Sequence, residues 1–301
     1  MDKTNMIQID PSGKTAGEMH QLLVGTVAPR PIALVSTKGE NGQINLAPYS
    51  FFNVFSSKPP ILVFSAALRG TDSTAKDTLI NVRKTREVVI NVVTHNMVNQ
   101  MAITSIQYPP DVSEFTKAGF TSIPSQIVKP PRVAESPVHF ECTVLDIIPM
   151  GDDGGAGNLV ICQAQVIHIA NSVLDDQERV DPHKIDLMGR MGRAFYTRAS
   201  GGSIHKIYQP TTTLGIGFDQ LPPSALHSTI LSGNDLGRLA GIPDLPPQED
   251  VRQLTTLAAI QTILHSDYPI RSLHEKAKTY ISNGQVEEAA KLIWLADTLP
   301  S

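Results

Sequence analysis

The feature that most constrains the fold of this chain is a pair of alternating apolar segments joined by a short turn. Phe140, Cys142 and Val144 alternate with polar neighbours, and the alternation resumes after the glycine-rich stretch 151–157. The second segment carries Val160, Cys162, Ala164 and Val166. A period of two is typical of strands that turn one face toward a core. Because so short a connection joins only antiparallel strands, the sequence predicts an antiparallel barrel rather than a doubly wound parallel sheet.

Further strand signals precede this hairpin. The predicted strands are 32–36, 43–54, 61–65 and 88–93. The first two are separated by Asn41-Gly42, the dipeptide most typical of a tight hairpin, and the first three form a meander. Pro48 interrupts the second strand and donates no amide hydrogen, so this strand must be an edge, a bulge or a bend.

A helix is predicted over residues 74–85. Thr74 and Asp77 have the spacing of a Ser/Thr-x-x-Asp/Glu capping box, in which each side chain bonds the other residue's backbone amide. Apolar residues then follow at helical spacing. Taken alone, the pattern favours a well-capped structural helix over a binding site.

The same helix also carries groups that could bind a phosphate. Lys76 lies in the predicted first turn, where free amides and the helix dipole favour an anion. Thr78 and Asn81 are three residues apart and share one helix face. Ser36 and Thr37 add hydroxyl groups at the end of a predicted strand. Together with the backbone groups released around Pro48, these residues could bind an aromatic phosphate ester.

The composition of the chain changes after about residue 208. We predict a barrel domain over 1–208, a Pro/Gly-rich connecting segment over 209–248 and an α-helical extension over 249–301. Asn283-Gly284 separates the last two apolar helix faces, and this hairpin resembles one tetratricopeptide unit. Because solenoids need about three repeats, a helical appendage packed on the barrel or on its partner is the simpler interpretation.

Composition narrows the class of protein. Hydrophobic residues make up 41% of the chain and the formal net charge is −4, so a packed core is expected and nucleic acid or an anionic membrane is not an expected partner. No segment approaches the ~20 apolar residues of a membrane span. The chain lacks an apolar signal segment, and Cys142 and Cys162 are predicted to be buried free thiols, so we expect a cytoplasmic protein.

Several common sites are excluded by inspection. The sequence contains no dinucleotide-binding glycine motif after a strand, no P-loop and no nucleophile elbow. The nine histidines are scattered and form no H-E-x-x-H motif, so no metal site is expected.

Three ordered segments carry a family resemblance that covers about residues 22–203. They are Arg30-Pro31-Ile32, Asn45-Leu46-Ala47-Pro48-Tyr49-Ser50-Phe51-Phe52 and Lys76-Asp77-Thr78-Leu79-Ile80-Asn81. In these segments, and in Pro59-Pro60, the chain resembles the flavin-reductase-like, FMN-binding split-barrel family. The resemblance implies a mainly β fold, a six-stranded antiparallel Greek-key split barrel with flanking helices. It also implies a homodimer with FMN near the dimer interface.

The resemblance further implies site residues and an activity. Contacts to the flavin ring would fall on Ala47, Pro48, Tyr49 and Ser50. Contacts to the phosphate and ribityl chain would fall on Ser36, Thr37, Ser65, Lys76, Thr78 and Asn81. Family members often reduce flavin with NADH or NADPH, and many supply reduced flavin to a monooxygenase or another electron acceptor. Because the cofactor performs the hydride chemistry, no catalytic triad is needed.

Some assignments stay open at the level of sequence. Arg30 is a candidate for the flavin N1–O2 edge through its proximity to the motif, and no catalytic residue is assigned. Arg193 stands before Tyr196 where a small residue is common in the family, which puts a site role for Tyr196 in doubt. Two alternatives to a reductase are a non-catalytic FMN-binding electron carrier and an interaction protein that uses the helical tail.

Overall fold

A computed structural model describes residues 6–109, 111–207 and 213–300. The chain divides into two compact units, the first ending at His205 and the second beginning at Lys206. The predicted boundary between residues 208 and 209 lies outside the described residues. None of the helices in the described ranges is long and apolar enough to cross a membrane.

The first unit is mainly β. Its strands are β1 Ala33–Lys38, β2 Ile44–Tyr49, β3 Phe52–Ser57, β4 Pro60–Ser65, β5 Glu87–Val92, β6 Ser122–Ile123, β7 Arg132–Val133, β8 Val138–Pro149, β9 Asn158–Ile169, β10 Met188–Arg190 and β11 Tyr196–Arg198. Its helices are α1 Ala16–Thr26, α2 Asp77–Thr85, α3 Val98–Ile103 and α4 Glu114–Ala118. The predicted long hairpin is present as β8 and β9, which pair antiparallel.

Seven of the described strands form one antiparallel sheet in the order β2-β1-β5-β8-β9-β4-β3. The predicted number of six strands is wrong and the sheet is not closed, because the segment predicted as one strand over 43–54 is two strands. These strands, β2 and β3, do not pair with each other and form the two edges of the sheet. Only Ser50 and Phe51 separate them, so the two edges approach each other at this connection, which we call the hinge. Pro48 lies in an edge strand, as its missing amide hydrogen requires.

The sheet buries apolar side chains on both faces. Val35, Phe64 and Cys162 belong to one cluster, which also contains Leu79 of α2. Leu34 of β1 belongs to a second cluster, which contains residues of α3 and α4. Neighbouring strand residues point to opposite faces, so β1 separates the helix α2 from the helices α3 and α4. Both cysteines are free and buried, as predicted.

The second unit is helical. Its helices are α5 Pro223–Leu226, α6 Gly233–Ala240, α7 Gln248–Leu254, α8 Ala258–Leu264, α9 Pro269–Ser282 and α10 Val286–Asp297. The Pro/Gly-rich segment is more than a connection, because Ala225 and Leu239 lie in the same core as Leu273 and Ile293. Gly284 adopts a φ of 84° between α9 and α10, a conformation that glycine tolerates best.

Candidate functional site

A pocket of about 230 Å³ lies where the end of β2 meets the beginning of α2. Five residues predicted to bind a cofactor line it, namely Ala47, Pro48, Tyr49, Lys76 and Thr78. The remaining walls come from Asn45, Arg69, Asp77, Thr104, Ser105, Ile106, Gln107, Tyr108 and Glu114. The structure therefore gathers two of the three sequence segments that carry the family resemblance around one concave surface.

The first turn of α2 is uncapped, and the predicted capping box is wrong. The helix begins at Asp77 rather than Thr74, and its N-cap residue Lys76 makes no side-chain capping bond. Thr74 is occupied elsewhere, since its backbone amide and its hydroxyl both donate to Asp72 Oδ1, at 3.0 and 2.7 Å. No described residue accepts a hydrogen bond from the backbone amides of residues 77–79. Such free amides at a helix N-terminus form an anion site.

Two cationic side chains lie beside this helix end. Lys76 Nζ lies 5.9 Å from the centre of the Tyr49 ring, and no carboxylate among the described residues forms a salt bridge with it. Arg69 forms an ion pair with Asp77 at 3.5 Å and donates to the backbone carbonyl of Ala75. Partial burial and the positive charge of Arg69 lower the pKa of Lys76. A bound anion would relieve this repulsion.

A polar network joins β1, β2 and α2 next to the pocket. Asn45 Nδ2 donates to Thr78 Oγ1 at 2.8 Å, and Asn81 Nδ2 donates to Thr37 Oγ1 at 3.1 Å. Thr37 and Asn45 are direct partners in the β1–β2 register. Thr78 and Asn81 thus share the helix face that the sequence predicted. Asn45 was not predicted as a site residue, although it faces the same side as Ala47 and Tyr49 through the period of two.

Tyr49 carries an unsatisfied hydroxyl in this pocket. Its side chain packs against Phe64 with ring centres 5.1 Å apart, and its hydroxyl has no hydrogen-bond partner among the described residues. Burial, only partly offset by the nearby Thr78 hydroxyl, raises the pKa of Tyr49 to about 12. The phenol therefore stays neutral at physiological pH and keeps its buried hydroxyl proton without a partner among the described residues.

Arg69 and Glu114 are pocket residues that the sequence analysis missed. Burial raises the pKa of Glu114, whose Oε2 accepts the backbone amide of Leu46 at 3.1 Å. Glu114 therefore covers the free edge of β2. No local motif distinguishes either residue, because each reaches the pocket only through the tertiary fold.

Five of the predicted contacts do not line this pocket. Thr37 and Asn81 belong to the polar network beside it, and the other three are Ser36, Ser50 and Ser65. Ser36 lies on the opposite face of β1 from Thr37, and its hydroxyl is buried without a hydrogen-bond partner in the described ranges. Ser50 Oγ accepts from Arg30 Nε at 3.4 Å, and the amide of Ser65 donates to Phe51 O at 2.8 Å. Ser50 therefore lies in the hinge, and Ser65 at the end of β4 bonds to the hinge through Phe51.

Arg30 has a structural role that the sequence did not indicate. Its guanidinium donates to the carbonyl oxygens of Val24 and Val27, both at 2.7 Å, and of Met191 at 3.2 Å. Only 7% of the residue is exposed. These bonds satisfy the C-terminal end of α1 and engage most of the donors that a flavin edge would need.

The turn before Tyr196 has a backbone conformation in which a small residue is favoured and this chain has Arg193. Arg193 has a φ of 55°, in the left-handed region where glycine is favoured, and it is exposed. Tyr196 packs under Arg190, whose Cζ lies 4.5 Å from the ring centre. Tyr196 also packs on the core cluster that contains α3 and α4, so its contacts in this structure are structural.

About half of the chain is similar to a known class of flavin-associated domains. The family model "Flavin reductase like domain" matches residues 25–182. An uncharacterised protein of Aquifex aeolicus is 39% identical over 183 residues, which are 61% of this chain and 91% of that protein.

Two solved structures have similar folds. One is nitrilotriacetate monooxygenase component B from Bacillus cereus, with 27% identity, a TM-score of 0.62 and coverage of 68% of this chain and 98% of that chain. The other is 2-nitrobenzoate 2-nitroreductase from Pseudomonas fluorescens, with 28% identity, a TM-score of 0.61 and coverage of 70% and 100%.

The chain belongs to the flavin reductase like family. The split-barrel family identified from the three sequence segments is therefore confirmed. The matched region lies within the first unit and contains β1 to β9 together with α2.

Proposed function

We propose that this protein binds FMN in the pocket between β2 and α2 and transfers hydride to it from NADH or NADPH. The observation that carries the proposal is the uncapped end of α2, where three free amides, Lys76 and Arg69 meet. A phosphate dianion fits this donor set because it accepts several hydrogen bonds and needs positive charge nearby.

The free edge of β2 supports the assignment of the flavin ring. Leu46 directs its amide away from β1, toward Glu114. Residues two apart on a strand point the same way, so Pro48 presents a carbonyl there without an N–H. That carbonyl suits a ring N–H, and the Tyr49 hydroxyl suits an acceptor on the cofactor.

The volume of the pocket supports the proposal of a dimer. At about 230 Å³ it lies below the ~300–1,000 Å³ of most small-molecule sites, so it holds only part of FMN. The edge strand β3 exposes Val54 and Phe55 by 59% and 69%, and an exposed apolar edge strand is suited to pairing with another chain. We propose that a second copy covers this edge and completes the cofactor site. Light scattering should give twice the 32.6 kDa of one chain, and a monomer at micromolar concentration would contradict the dimer.

The bound flavin would supply the chemistry, by accepting hydride from the nicotinamide at its N5 atom. The chain would supply position and charge. Lys76, Arg69 and the amides of residues 77–79 hold the phosphate, while β2 orients the ring edge. The neutral Tyr49 phenol donates a hydrogen bond without adding a negative charge beside the cofactor.

The proposal also includes a partner that accepts the electrons from the reduced flavin. The similar Bacillus cereus protein is a monooxygenase component, which supports a monooxygenase or another electron acceptor as the partner of this chain. Cytoplasmic location also stays a prediction. A flavin-binding protein that only carries electrons is the alternative outcome of the following test.

The test is the visible spectrum of the purified protein with FMN under argon, before and after NADH or NADPH is added. We expect the flavin absorbance to bleach with one nicotinamide in preference to the other. Bound flavin that does not bleach with either nicotinamide would indicate an electron carrier, whereas failure to bind FMN would overturn the proposal.

A further inference from the structure

The second unit contains a cavity of about 500 Å³ that the flavin proposal does not use. It lies between the segment 224–230, which includes the end of α5, and the segment 267–274, which includes the beginning of α9. The residues that line it include Ser224, Ile230, Tyr268, Ile270, Arg271 and His274. Its volume falls within the ~300–1,000 Å³ of typical small-molecule sites.

Two buried polar atoms in the wall have no hydrogen-bond partner in the described part of the chain. They are His274 Nε2 and Ser224 Oγ. His274 is only 3% exposed, so its ring is screened from bulk solvent. An unpaired buried donor or acceptor is costly, and such atoms in a native protein call for an explanation.

The hydrogen bonds around His274 determine which of its nitrogens carries the proton. Ser228 Oγ accepts the backbone amides of Ile230 and Leu231, both at 3.1 Å, so its own hydrogen is left for His274 Nδ1 at 2.9 Å. Nδ1 is then the acceptor of this pair. Burial lowers the pKa of His274, so the ring is neutral and its proton lies on Nε2. The unpaired atom is therefore a donor.

Other groups of the wall add donors and an apolar surface. Arg271 contacts Glu275 through Nε at 3.0 Å, and no described residue bonds its η nitrogens. Asp267 is an exposed carboxylate of the lining. Asp297 lies outside the lining and accepts a hydrogen bond from the amide of Ser224 at 3.0 Å. Ile230, Ile270 and Tyr268 supply the apolar wall.

We propose that this cavity binds a small carboxylate with an apolar body. The acid group would accept from Ser224, His274 and Arg271, and the apolar body would pack on Ile230 and Ile270. His274 Nε2 and Ser224 Oγ are buried in the free protein. Rotation of a side chain in the wall, which is common on binding, would expose these two atoms to the ligand. This site lies wholly within the second unit and does not depend on flavin.

The experiment is a titration of the full chain with benzoate and with hexanoate, followed through isoleucine methyl resonances by NMR. We expect saturable shifts of the Ile230 and Ile270 methyl groups, with the methyl of Ile90 in the first unit as an unaffected internal reference. Benzamide, which lacks the charge, should bind at least about tenfold more weakly than benzoate because it forms no charge-assisted bonds.

Two variants test the donors without depending on the buried histidine. Ser224→Ala removes an unpaired hydroxyl and Arg271→Gln removes an exposed charge, so both should fold, and each should weaken benzoate binding about tenfold. Ser282→Ala is the matched control on α9, where the hydroxyl donates to Lys278 O at 2.9 Å. It should leave benzoate binding unchanged.

The proposal is overturned if neither acid gives saturable shifts, if benzamide binds as well as benzoate, or if Ser224→Ala and Arg271→Gln bind like the wild type. FMN affinity should be the same in all these variants. A failure of the carboxylate site therefore leaves the flavin proposal unaffected.

Discussion

The helices α1 and α2 lie in the same unit, but their ends are satisfied in different ways. Thr15 and Glu18 form a capping box at the start of α1, with Thr15 N donating to Glu18 Oε2 at 3.0 Å and Glu18 N donating to Thr15 Oγ1 at 3.3 Å. Arg30 satisfies carbonyl groups at the other end. The start of α2 has neither a side-chain cap nor a backbone acceptor in the described residues.

This difference shows how a helix end that can bind a ligand is distinguished from a helix end that is capped by the protein itself. Both helix starts carry a Thr-x-x-Glu/Asp pattern, but Thr74 bonds to Asp72 and α2 begins only at Asp77, so the second box does not form. Local side-chain bonds of this kind compete with helix capping. An end that the chain leaves open, beside two cations, is available to a ligand, and the following predictions test this contrast.

The largest effect should come from Arg30, which completes α1. Arg30→Met leaves three carbonyl groups without their charged donor, and we expect a loss of about 3–5 kcal/mol in the free energy of unfolding. Thermal melts would measure it, and Arg30→Lys should recover only part because lysine lacks the planar fork. If Arg30→Met melts like the wild type but binds both FMN and riboflavin weakly, Arg30 serves the flavin ring instead.

The next effect should come from the open end of α2. Lys76→Met removes one charge, and we expect FMN to bind about 10- to 100-fold more weakly, since a charge-assisted bond contributes ~1.5–3 kcal/mol. Riboflavin lacks the phosphate and should bind as before. Lys84→Met is the matched control at the other end of α2, where the lysine pairs with Glu40 at 3.5 Å. Equal FMN affinity in the two variants would show that the phosphate does not bind at the start of α2.

Thr15→Ala tests the capped helix. Loss of the box should lower the free energy of unfolding by about 1 kcal/mol, because the amides of the first turn lose a partner in an exposed helix. FMN affinity should not change. A larger loss of FMN affinity than of stability would show that α1 also serves the site.

The smallest effect concerns the stability of the protein without flavin. The pKa of Lys76 is lower in the folded protein than in the unfolded chain, so its positive charge disfavours folding below the folded pKa. Lys76→Met should therefore be slightly more stable than the wild type at pH 7, by less than about 1 kcal/mol because solvent screens the charge. The advantage should shrink as the pH rises through the folded pKa. Chemical denaturation at several pH values measures it, and a destabilised variant would contradict the repulsion between Lys76 and Arg69.

Much of the fold follows from local patterns. Alternation along β8 and β9 predicts their pairing, and Pro48 predicts an edge or a bent strand. The split between β2 and β3 could not be predicted, because the continuous pattern from Ile44 to Val54 does not show that its two halves pair at opposite edges of the sheet. The pairing depends on long-range partners rather than on the segment itself.

The candidate site was predictable where its residues share a motif. Tyr49, Lys76 and Thr78 are close in sequence to family signatures, and they line one pocket. Arg69 and Glu114 were missed because only the tertiary fold brings them there. The flavin-edge role of Arg30 stays a prediction. Its bonds to Val24 and Met191 could not be predicted, because these partners lie on separate segments and a sequence does not show which carbonyl groups lack donors.

The measurement that tests the central claim most directly is a parallel titration of the unmodified protein with FMN and with riboflavin. The two ligands share the ring and the ribityl chain and differ in the phosphate. If the open end of α2 holds the phosphate, FMN should bind at least about tenfold more tightly, a difference of about 1.4 kcal/mol. Equal affinities would contradict the account, because the free amides, Lys76 and Arg69 would then contribute nothing to recognition.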